Sequence, residues 1–535
     1  MPFRGLECIF SALLIATAAC PAETGKQQAV DQDKFGTIHF PISCPASVQK
    51  EFERGVALLH SFAFETAEAT FRQVVQDDSQ CAMGHWGMAR SLWRWSEPDS
   101  KIRAEGWREA VLASSLKPPT QREKEYVAAV SALYENPDAN LKNRWNKYLE
   151  QMRTLHRDYL NDDEATAFYA YALIEADNDD DPTHKDRRLA AALLEPLFAR
   201  DPDHPGIAHY LIHAYDKPDL AELGLPAARR YALIAPAAPH ALHMPSHIFA
   251  QLGMWQEDIS SNLASLAASR NASTTHMEDM GHEYHAMEFL VYAYLQSGRE
   301  AEAQKLIDEV RSLPKVKSMY GDDYDPQVYA SLAYQASYLL ELHQWAEAAV
   351  LPLTPQTAFG DDTITYLVRA VGSARIGNVE QARKNVEQIE SIHAQVVARK
   401  LPFADWVEQE KHEAEAWADH AAGNDDEALA LLAAIAEKQQ TGIFGANGDL
   451  PAREMRADIL LEMKRPQQAL REYQAELKIS PNRFDSLYGA GRAAETANQK
   501  ETAANYYRQL LNVCAWGTSS RPELAQAKEF VSQFQ

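Results

Sequence analysis

The spacing of apolar and small residues along this chain predicts helices that recur in pairs. Near the C-terminus, Ala469 and Ala503 lie 34 residues apart, and Tyr473 and Tyr507 follow them by four residues each. Few stretches alternate apolar and polar residues with the β-branched enrichment that strands need. The pattern therefore predicts an all-α chain built from a repeated helix pair.

The same spacing is found at both ends of the chain. Ala457 and Gly491 precede the two C-terminal alanines by twelve residues, and near the N-terminus Gly55 precedes Ala67 by twelve, with Phe71 four further on. Small residues are needed where helices cross closely, and the aromatic side chain fills the gap between pairs. The chain resembles tetratricopeptide-repeat (TPR) proteins along most of its mature length. That resemblance implies an all-α, TPR-like solenoid, a superhelical array of antiparallel helix pairs.

Four segments carry a narrower resemblance. They read FPISC at 40–44, GVALLHSF at 55–62, CAM at 81–83 with WG at 86–87, and HALHMPSHIF at 240–249. In these the chain is similar to a group of uncharacterised bacterial exported TPR proteins. The resemblance implies the fold and the binding of a partner or ligand, and it brings no activity with it.

The N-terminal residues predict export. The apolar run from Ile9 to Cys20 is too short to span a membrane and closes with small residues, as signal peptides do. Cleavage after Ala18 would fit an Ala-x-Ala pattern, whereas residues 17–20 resemble a lipobox in which Cys20 would carry a lipid. We therefore expect a periplasmic or envelope-anchored protein that contacts a membrane only through such an anchor.

The predicted organisation has five sections. They are a signal peptide at 1–19, an irregular lead at 20–46, N-terminal helix pairs at 47–200, central His-rich pairs at 201–310 and C-terminal pairs at 311–535. Cys44 and Cys81 flank the first helix pair, so an oxidising compartment would allow them to form a disulfide. Two unrelated buried thiols are the alternative.

Charge narrows the range of partners. The formal net charge is −24, and no basic stripe offsets it, which argues against nucleic acid and against anionic lipid headgroups. No Cys-x-x-Cys occurs, which argues against thiol redox chemistry and Cys-rich zinc sites. The expected partner is a protein, a peptide or a small ligand in the concave groove of the solenoid.

Histidines are concentrated in the central section. Nine of the 18 fall between His204 and His285. His209 and His213 are four residues apart, as are His243 and His247, and residues four apart share a helix face. Half of the imidazoles are thus predicted to lie in a short part of the solenoid.

Counting back from the repeat signature assigns many of these residues to the groove. In TPR proteins the groove-facing positions lie 18, 15 and 11 residues before the signature alanine, a place held here by Ala303 and, in the preceding unit, by Asp258. The six positions so defined are all polar or aromatic: His285, Glu288, Tyr292, His240, His243 and His247. His209 and His213 fit the same face of the repeat before, if a four-residue insertion near Gly224 is allowed. Because Pro245 lies between two of the histidines, the helix must begin near Ala241 to keep both on one face.

This arrangement predicts a transition-metal site. Imidazole and carboxylate without cysteine suit zinc, iron or copper. The predicted metal ligands, with Glu288 as ligand or general base, are His209, His213, His243, His247, His285 and Glu288. Nearby methionines such as Met244 and Met287 would favour copper if they bound the ion, although methionine at helical spacing is more often core filler.

Several functions stay open at this stage. The chain is predicted to be a binding scaffold whose groove holds a metal ion or ligand. The alternatives are a metal-dependent enzyme built in the groove and a periplasmic metal chaperone. The histidines themselves would also fit a polar groove without metal, or a set of structural imidazoles whose hydrogen bonds are satisfied.

Overall fold

The computed structural model describes residues 34–94, 100–136, 139–178, 181–274, 281–313, 326–354, 359–401, 403–439 and 450–533. The described ranges contain helices and no strand. The predicted signal peptide and Cys20 lie outside the described residues.

The helices follow one another with short connections. The first thirteen are α1 Ala46–His60, α2 Phe64–Asp77, α3 Ala82–Leu92, α4 Ser100–Ser115, α5 Gln121–Ala132, α6 Leu141–Asp158, α7 Asp163–Glu175, α8 Lys185–Arg200, α9 Pro205–Tyr215, α10 Ala221–Ile234, α11 Pro239–His243, α12 Pro245–Gln251 and α13 Trp255–Thr274. The next thirteen are α14 Gly281–Gln296, α15 Glu300–Val310, α16 Pro326–Glu341, α17 Trp345–Ala348, α18 Asp362–Arg375, α19 Val379–Ala398, α20 Ala404–Ala421, α21 Asp425–Lys438, α22 Ala452–Glu462, α23 Pro466–Ile479, α24 Phe484–Thr496, α25 Lys500–Val513 and α26 Pro522–Ser532. Within the described ranges, none of them combines the length and apolar composition needed to cross a membrane.

Each helix packs mainly against its neighbours in the chain, which is the arrangement of a solenoid. The small residues of the repeat signature lie where the sequence predicted. A Cβ on Gly55 would come within 2.7 Å of the Phe71 ring, and a Cβ on Gly491 within 2.4 Å of the Tyr507 ring. Only glycine lets these helices approach the aromatic so closely. The predicted all-α, TPR-like solenoid is confirmed, whereas membership of a bacterial exported group stays a prediction.

The described part of the lead, residues 34–45, is irregular and packs onto the first helices. Cys44 forms the predicted disulfide with Cys81, with Cα atoms 5.3 Å apart. The ring of Phe40 lies 5.2 Å from that of Phe52 and 4.8 Å from that of Tyr126. Helix α1 begins at Ala46, the last residue of the predicted lead, after Pro45.

Both ends of the chain contact the central section. At the C-terminal end of α1, His60 Nδ1 lies 2.9 Å from the Tyr210 hydroxyl of α9. On the other side, the Trp255 indole donates a hydrogen bond to the Asn482 carbonyl oxygen at 3.0 Å. The central section therefore contacts segments that are distant in sequence on both sides, and the segment around His60 also reaches the central histidines.

Candidate metal centre

Helix α9 carries the first two histidines of the centre. Its start is set by two local features, since the His204 ring accepts a hydrogen bond from the Ile207 N–H at 3.2 Å and Pro205 occupies the first helical turn. The helix therefore begins one turn before His209. His209 and His213 then lie on one face, with their Nε2 atoms 3.0 Å apart.

Proline divides the next histidine-bearing segment without changing its face. Helix α11 ends at His243 and α12 begins at Pro245, while Met244 between them keeps helical angles of φ −50° and ψ −36°. Proline at the first position of a helix lacks only an N–H that the helix would not use. His243 and His247 therefore point the same way, and their Nε2 atoms are 2.9 Å apart.

The first triad consists of His209, His213 and His240, whose ligand-type nitrogens all lie within 4.8 Å of one another. His209 Nε2 is 3.0 Å from the Nε2 of each of the other two. His209 Nδ1 donates a hydrogen bond to the His60 carbonyl oxygen at 2.6 Å. The proton of this neutral ring is therefore on Nδ1, and its Nε2 presents a lone pair to the other two rings.

The second triad consists of His243, His247 and His285, again within 4.8 Å of one another. His243 Nδ1 donates to Asn262 Oδ1 at 2.7 Å, and the orientation of that amide is set because its Nδ2 donates to Asp258. His247 Nδ1 donates to the carboxylate of Asp216 at 2.8 Å. Both rings therefore carry their proton on Nδ1.

Two lone pairs consequently face each other across 2.9 Å, at His243 Nε2 and His247 Nε2. Neither nitrogen can donate to the other, so this contact is repulsive unless a positive charge lies between or beside them. Two nitrogens each about 2.0–2.1 Å from a tetrahedral zinc ion would lie about 3.3 Å apart. A shift of a few tenths of an ångström would thus convert the contact into a pair of metal bonds.

Burial disfavours protonation of four of the six imidazoles. It lowers the pKa of His209 to about 3 and holds the pKa values of His213, His240 and His243 well below the usual range, with neighbouring imidazoles lowering them further. Burial raises the pKa of Asp216, but the His247 ring and hydrogen bonds from His247 and Gln251 outweigh it, leaving a pKa of about 2. A neutral imidazole oriented by a carboxylate is the form that binds metals.

A phenylalanine ring packs on each triad. Phe62 has its ring centroid 4.4, 5.9 and 4.9 Å from the rings of the first triad. Phe289 lies 4.8, 4.9 and 5.3 Å from the rings of the second triad. The nitrogens therefore converge beside apolar walls that supply neither charge nor hydrogen bonds.

The two triads form one continuous cluster. Across the boundary, the His240 and His243 ring centroids are 6.1 Å apart, and those of His213 and His247 are 6.4 Å apart. Within the first triad, His213 and His240 are themselves separated by 6.4 Å. The gap between the triads is thus no wider than the largest gap inside one of them.

The structure brings all five predicted histidines together, but into two groups instead of the single pocket that was expected. The predicted concave surface is also covered at the first triad, because Phe62, just after the end of α1, packs onto its three rings. Glu288 differs from the prediction: its carboxylate accepts a hydrogen bond from His285 Nδ1 at 3.2 Å and is not among the converging atoms. Glu288 follows His285 by three residues on α14, and its carboxylate therefore reaches Nδ1 of that ring.

The predicted ligand set left out several residues that belong to the two triads or contact them. His240 was assigned to the groove by its phase but was not included as a ligand. Asp216 lies three residues after His213, at the end of α9, which is a weak sequence signal for a residue that orients a histidine. Asn262, Phe62 and Phe289 gave no signal. Metal binding by the predicted residues stays a prediction.

Two further groups have the composition of metal sites, but both are complete without an ion. The Glu164 carboxylate lies 2.7 Å from His60 Nε2 and 3.0 Å from His204 Nε2, so each oxygen has a partner. Cys44 and Cys81 lie near Asp78, but their sulfurs are joined to each other. The two triads differ from these groups because all of their converging atoms are imidazole nitrogens, with no carboxylate oxygen or sulfur among them.

Comparison with known proteins gives only distant likenesses. No protein-family model and no curated protein matches the chain. Among solved structures, the human IFIT1 dimer with m7Gppp-AAAA is 12% identical over 86% of this chain and 95% of that chain, with a TM-score of 0.36. The complex of Naa15/Naa10 bound to HypK-THB is 9% identical over 90% of this chain and 91% of that chain, with a TM-score of 0.22. These values give no ground for transferring a ligand to this chain.

Proposed function

We propose that this protein is a metalloprotein in which the TPR-like solenoid is the scaffold for two transition-metal ions, one in each histidine triad. The observation that carries the proposal is the contact between His243 Nε2 and His247 Nε2 at 2.9 Å, with both Nδ1 atoms already donating elsewhere. A buried pair of facing lone pairs is costly unless a cation compensates it.

A proton is the main competitor for that cation. A proton on one of the two rings would turn the repulsive contact into a hydrogen bond, and Asp216 could balance the charge. That solution serves two nitrogens, whereas three converge in each triad. The convergence of three imidazole nitrogens in each triad favours a metal ion.

Burial bears on what the ions do. His209, His240 and His243 are almost fully buried, and their rings are held by hydrogen bonds and aromatic packing. A site that hands its ion to a partner needs exposed ligands, so these contacts favour a resident metal centre over a metal chaperone. His285 is the most open ligand of the second triad, with a side chain 32% exposed, and it marks the side from which a ligand would enter.

The test is a titration of chelator-treated protein with zinc, with metal content and thermal unfolding as readouts. We expect two ions per chain and a rise in stability of about 2.7 kcal/mol for each occupied site, about 5.4 kcal/mol in all, when free zinc is 100 times its dissociation constant. The variant carrying His243→Ala and His247→Ala should lose one ion while keeping its helix content.

The matched control carries His393→Ala and His412→Ala, on α19 and α20 outside the cluster. It should bind metal like the unmodified chain. A protein that binds no stoichiometric zinc, copper or iron, and that gains no stability from them, would refute the proposal. The solenoid would then be a binding scaffold with a polar interior. Export and location in the bacterial envelope belong to this proposal as predictions from the N-terminal sequence.

A further inference from the structure

The kind of ligand atom limits which metal ion can bind more than the number of histidines does. All six converging atoms are imidazole nitrogens, which are neutral ligands. The carboxylates that contact the triads, Asp216 and Glu288, accept hydrogen bonds from ring nitrogens and are not among the converging atoms. Imidazole suits zinc, copper, iron and nickel, so charge has to decide among them.

Charge favours ions of low valence. Two divalent ions would bring four positive charges, while the carboxylates of Asp216 and Glu288 supply two negative ones. Two monovalent ions would be balanced by the same pair of carboxylates. Because uncompensated charge is expensive to bury, the resting state that these contacts fit best is a pair of copper(I) ions.

Nearby arginines do not upset this balance. Arg187 donates a hydrogen bond to the His213 carbonyl oxygen at 2.5 Å and is paired with Asp177 at 2.7 Å. Arg94 acts on the His282 ring from further away and is paired with Glu65 at 3.3 Å. Each of these positive charges has its own carboxylate.

The neighbouring triads and their apolar walls indicate what a copper pair would bind. The ring centroids facing each other across the boundary are no further apart than the largest separation inside one triad, so two bound ions would be neighbours in one cluster. Phe62 and Phe289 are neither ligands nor proton donors, and they favour an uncharged, apolar molecule at this position. Dioxygen has that character, and copper is a metal that reacts with it.

Resting on the proposed metal centre, we infer that the two triads hold a copper pair that binds dioxygen between its ions. Each copper(I) ion gives one electron and becomes copper(II). Dioxygen gains both electrons and becomes peroxide, its oxygen–oxygen bond stays intact, and no proton moves. The four charges of the oxidised pair are then balanced by the peroxide and by the two carboxylates.

The experiment begins with copper(I) supplied without oxygen to chelator-treated protein. We expect two copper ions per chain and, on admission of oxygen, uptake of one dioxygen molecule per two copper ions. The oxidised pair should show the intense near-ultraviolet charge-transfer band of copper-bound peroxide. It should lack the electron paramagnetic resonance signal of isolated copper(II), because the two spins couple.

A variant with one triad removed makes the test specific. With His243→Ala and His247→Ala, one copper ion should remain and the band of copper-bound peroxide should be absent. In air this single copper(I) gives one electron to dioxygen, which leaves as superoxide, and an isolated copper(II) signal should appear. If that variant does not fold, the single substitution His247→Gln, which keeps a polar side chain of similar reach, serves in its place. A peroxide band of the original strength per copper ion in a folded variant would overturn the inference.

The outcomes separate this inference from the proposed function. Protein that binds two copper ions but takes up no dioxygen, or that gives the full signal of isolated copper(II), overturns the dioxygen inference and leaves the metal centre standing. Binding of two zinc ions together with failure to bind copper does the same. Absence of any stoichiometric metal overturns both.

Discussion

Two buried polar centres touch the same helix, and they are built on opposite principles. Near the start of α14, His285 belongs to a triad of neutral nitrogens that face one another. Near its end, Tyr292 contacts Arg483, whose guanidinium donates two hydrogen bonds to Glu454, at 2.7 and 2.8 Å, and also pairs with Glu341 at 2.7 Å. The first centre contains groups of one kind, and the second contains groups of opposite charge.

The comparison shows which of the two is complete when the chain folds. In the Arg483 network, burial lowers the pKa of the guanidinium, but Glu341 and Glu454 outweigh it and raise that pKa well above its usual range. The charged form is therefore satisfied within the protein. In the second triad, the Nε2 atoms of His243 and His247 face each other while both Nδ1 atoms donate elsewhere. A buried polar cluster that compensates itself indicates structure, and one that does not indicates a ligand.

The largest expected effect comes from removing a charge in the self-compensating centre, the Arg483 network. Arg483→Met removes the positive charge between two buried carboxylates, and we expect a loss of about 3–5 kcal/mol in the free energy of unfolding. Chemical denaturation of the chain measures it. Arg311→Met, at an exposed position on the edge of α15, is the control and should change the stability by about 0.5 kcal/mol or less. A loss below 1 kcal/mol for Arg483→Met would show that the network does not hold the C-terminal helices together.

A buried carboxyl beside that network predicts a pH dependence. Burial, reinforced by the like charge of Glu454 and partly offset by Ser480, raises the pKa of Glu476 to about 7. The folded chain then keeps a proton that the unfolded chain loses near pH 4.5. The stabilising contribution is full below about pH 4.5 and is lost as the pH rises to about 7.

Glu476→Gln tests this directly, because the amide has the same shape and cannot ionise. We expect the variant to escape a loss of roughly 2–3 kcal/mol that the unmodified chain suffers between pH 4.5 and 8. Denaturation curves at several pH values measure it, and Glu437→Gln, at an exposed position of α21, is the control. Parallel pH profiles for Glu476→Gln and the unmodified chain would mean that Glu476 ionises normally.

The sequence predicts those features of the two centres that depend on residues close together in the chain. The positions of Gly55, Phe71, Gly491 and Tyr507 follow from repeat spacing, because TPR packing is set between adjacent helices. The shared faces of the histidine pairs follow from the same phase. These features needed only residues within one or two helix pairs of each other.

The remaining features depend on contacts between distant segments. The His60 carbonyl that fixes the proton of His209 comes from 149 residues earlier in the chain. Arg483 meets Tyr292 across 191 residues. Contacts between such distant segments depend on the small rotation that every repeat adds to the solenoid. The pattern of apolar residues does not give the size of these rotations, so it does not predict the contacts.

The next prediction concerns the histidine centre. Removing His243 and His247 should abolish the metal-dependent gain of about 2.7 kcal/mol at one site when zinc is at 100 times its dissociation constant. In the absence of metal, the same variant should unfold nearly as the unmodified chain does, because a repulsive contact disappears along with some packing. Thermal unfolding with and without zinc separates the two. A metal-free variant destabilised as much as Arg483→Met would place the histidines among the structural residues.

The smallest effect concerns a residue that orients a ligand without touching the metal. Asp216 is a carboxylate with a pKa of about 2 that accepts hydrogen bonds from His247 and Gln251. In Asp216→Asn the amide can still accept a hydrogen bond from His247, but the negative charge that increases the basicity of the imidazole is lost. Loss of such an outer partner weakens metal binding about 10–100-fold, or about 1.4–2.8 kcal/mol.

Competition with a chelator measures that affinity, and Asp219→Asn, at an exposed position three residues further along, is the matched control and should leave it unchanged. The stability of the metal-free chain is the second readout. If Asp216 served structure alone, Asp216→Asn would lower that stability and leave the zinc affinity of the folded chain as it was. If the centre binds metal as proposed, the affinity falls while the unfolding of the metal-free chain changes little, since the carboxylate acts on the basicity of a metal-bound imidazole. The direction of these two readouts therefore decides whether the polar contacts around the second triad support an ion or only the fold.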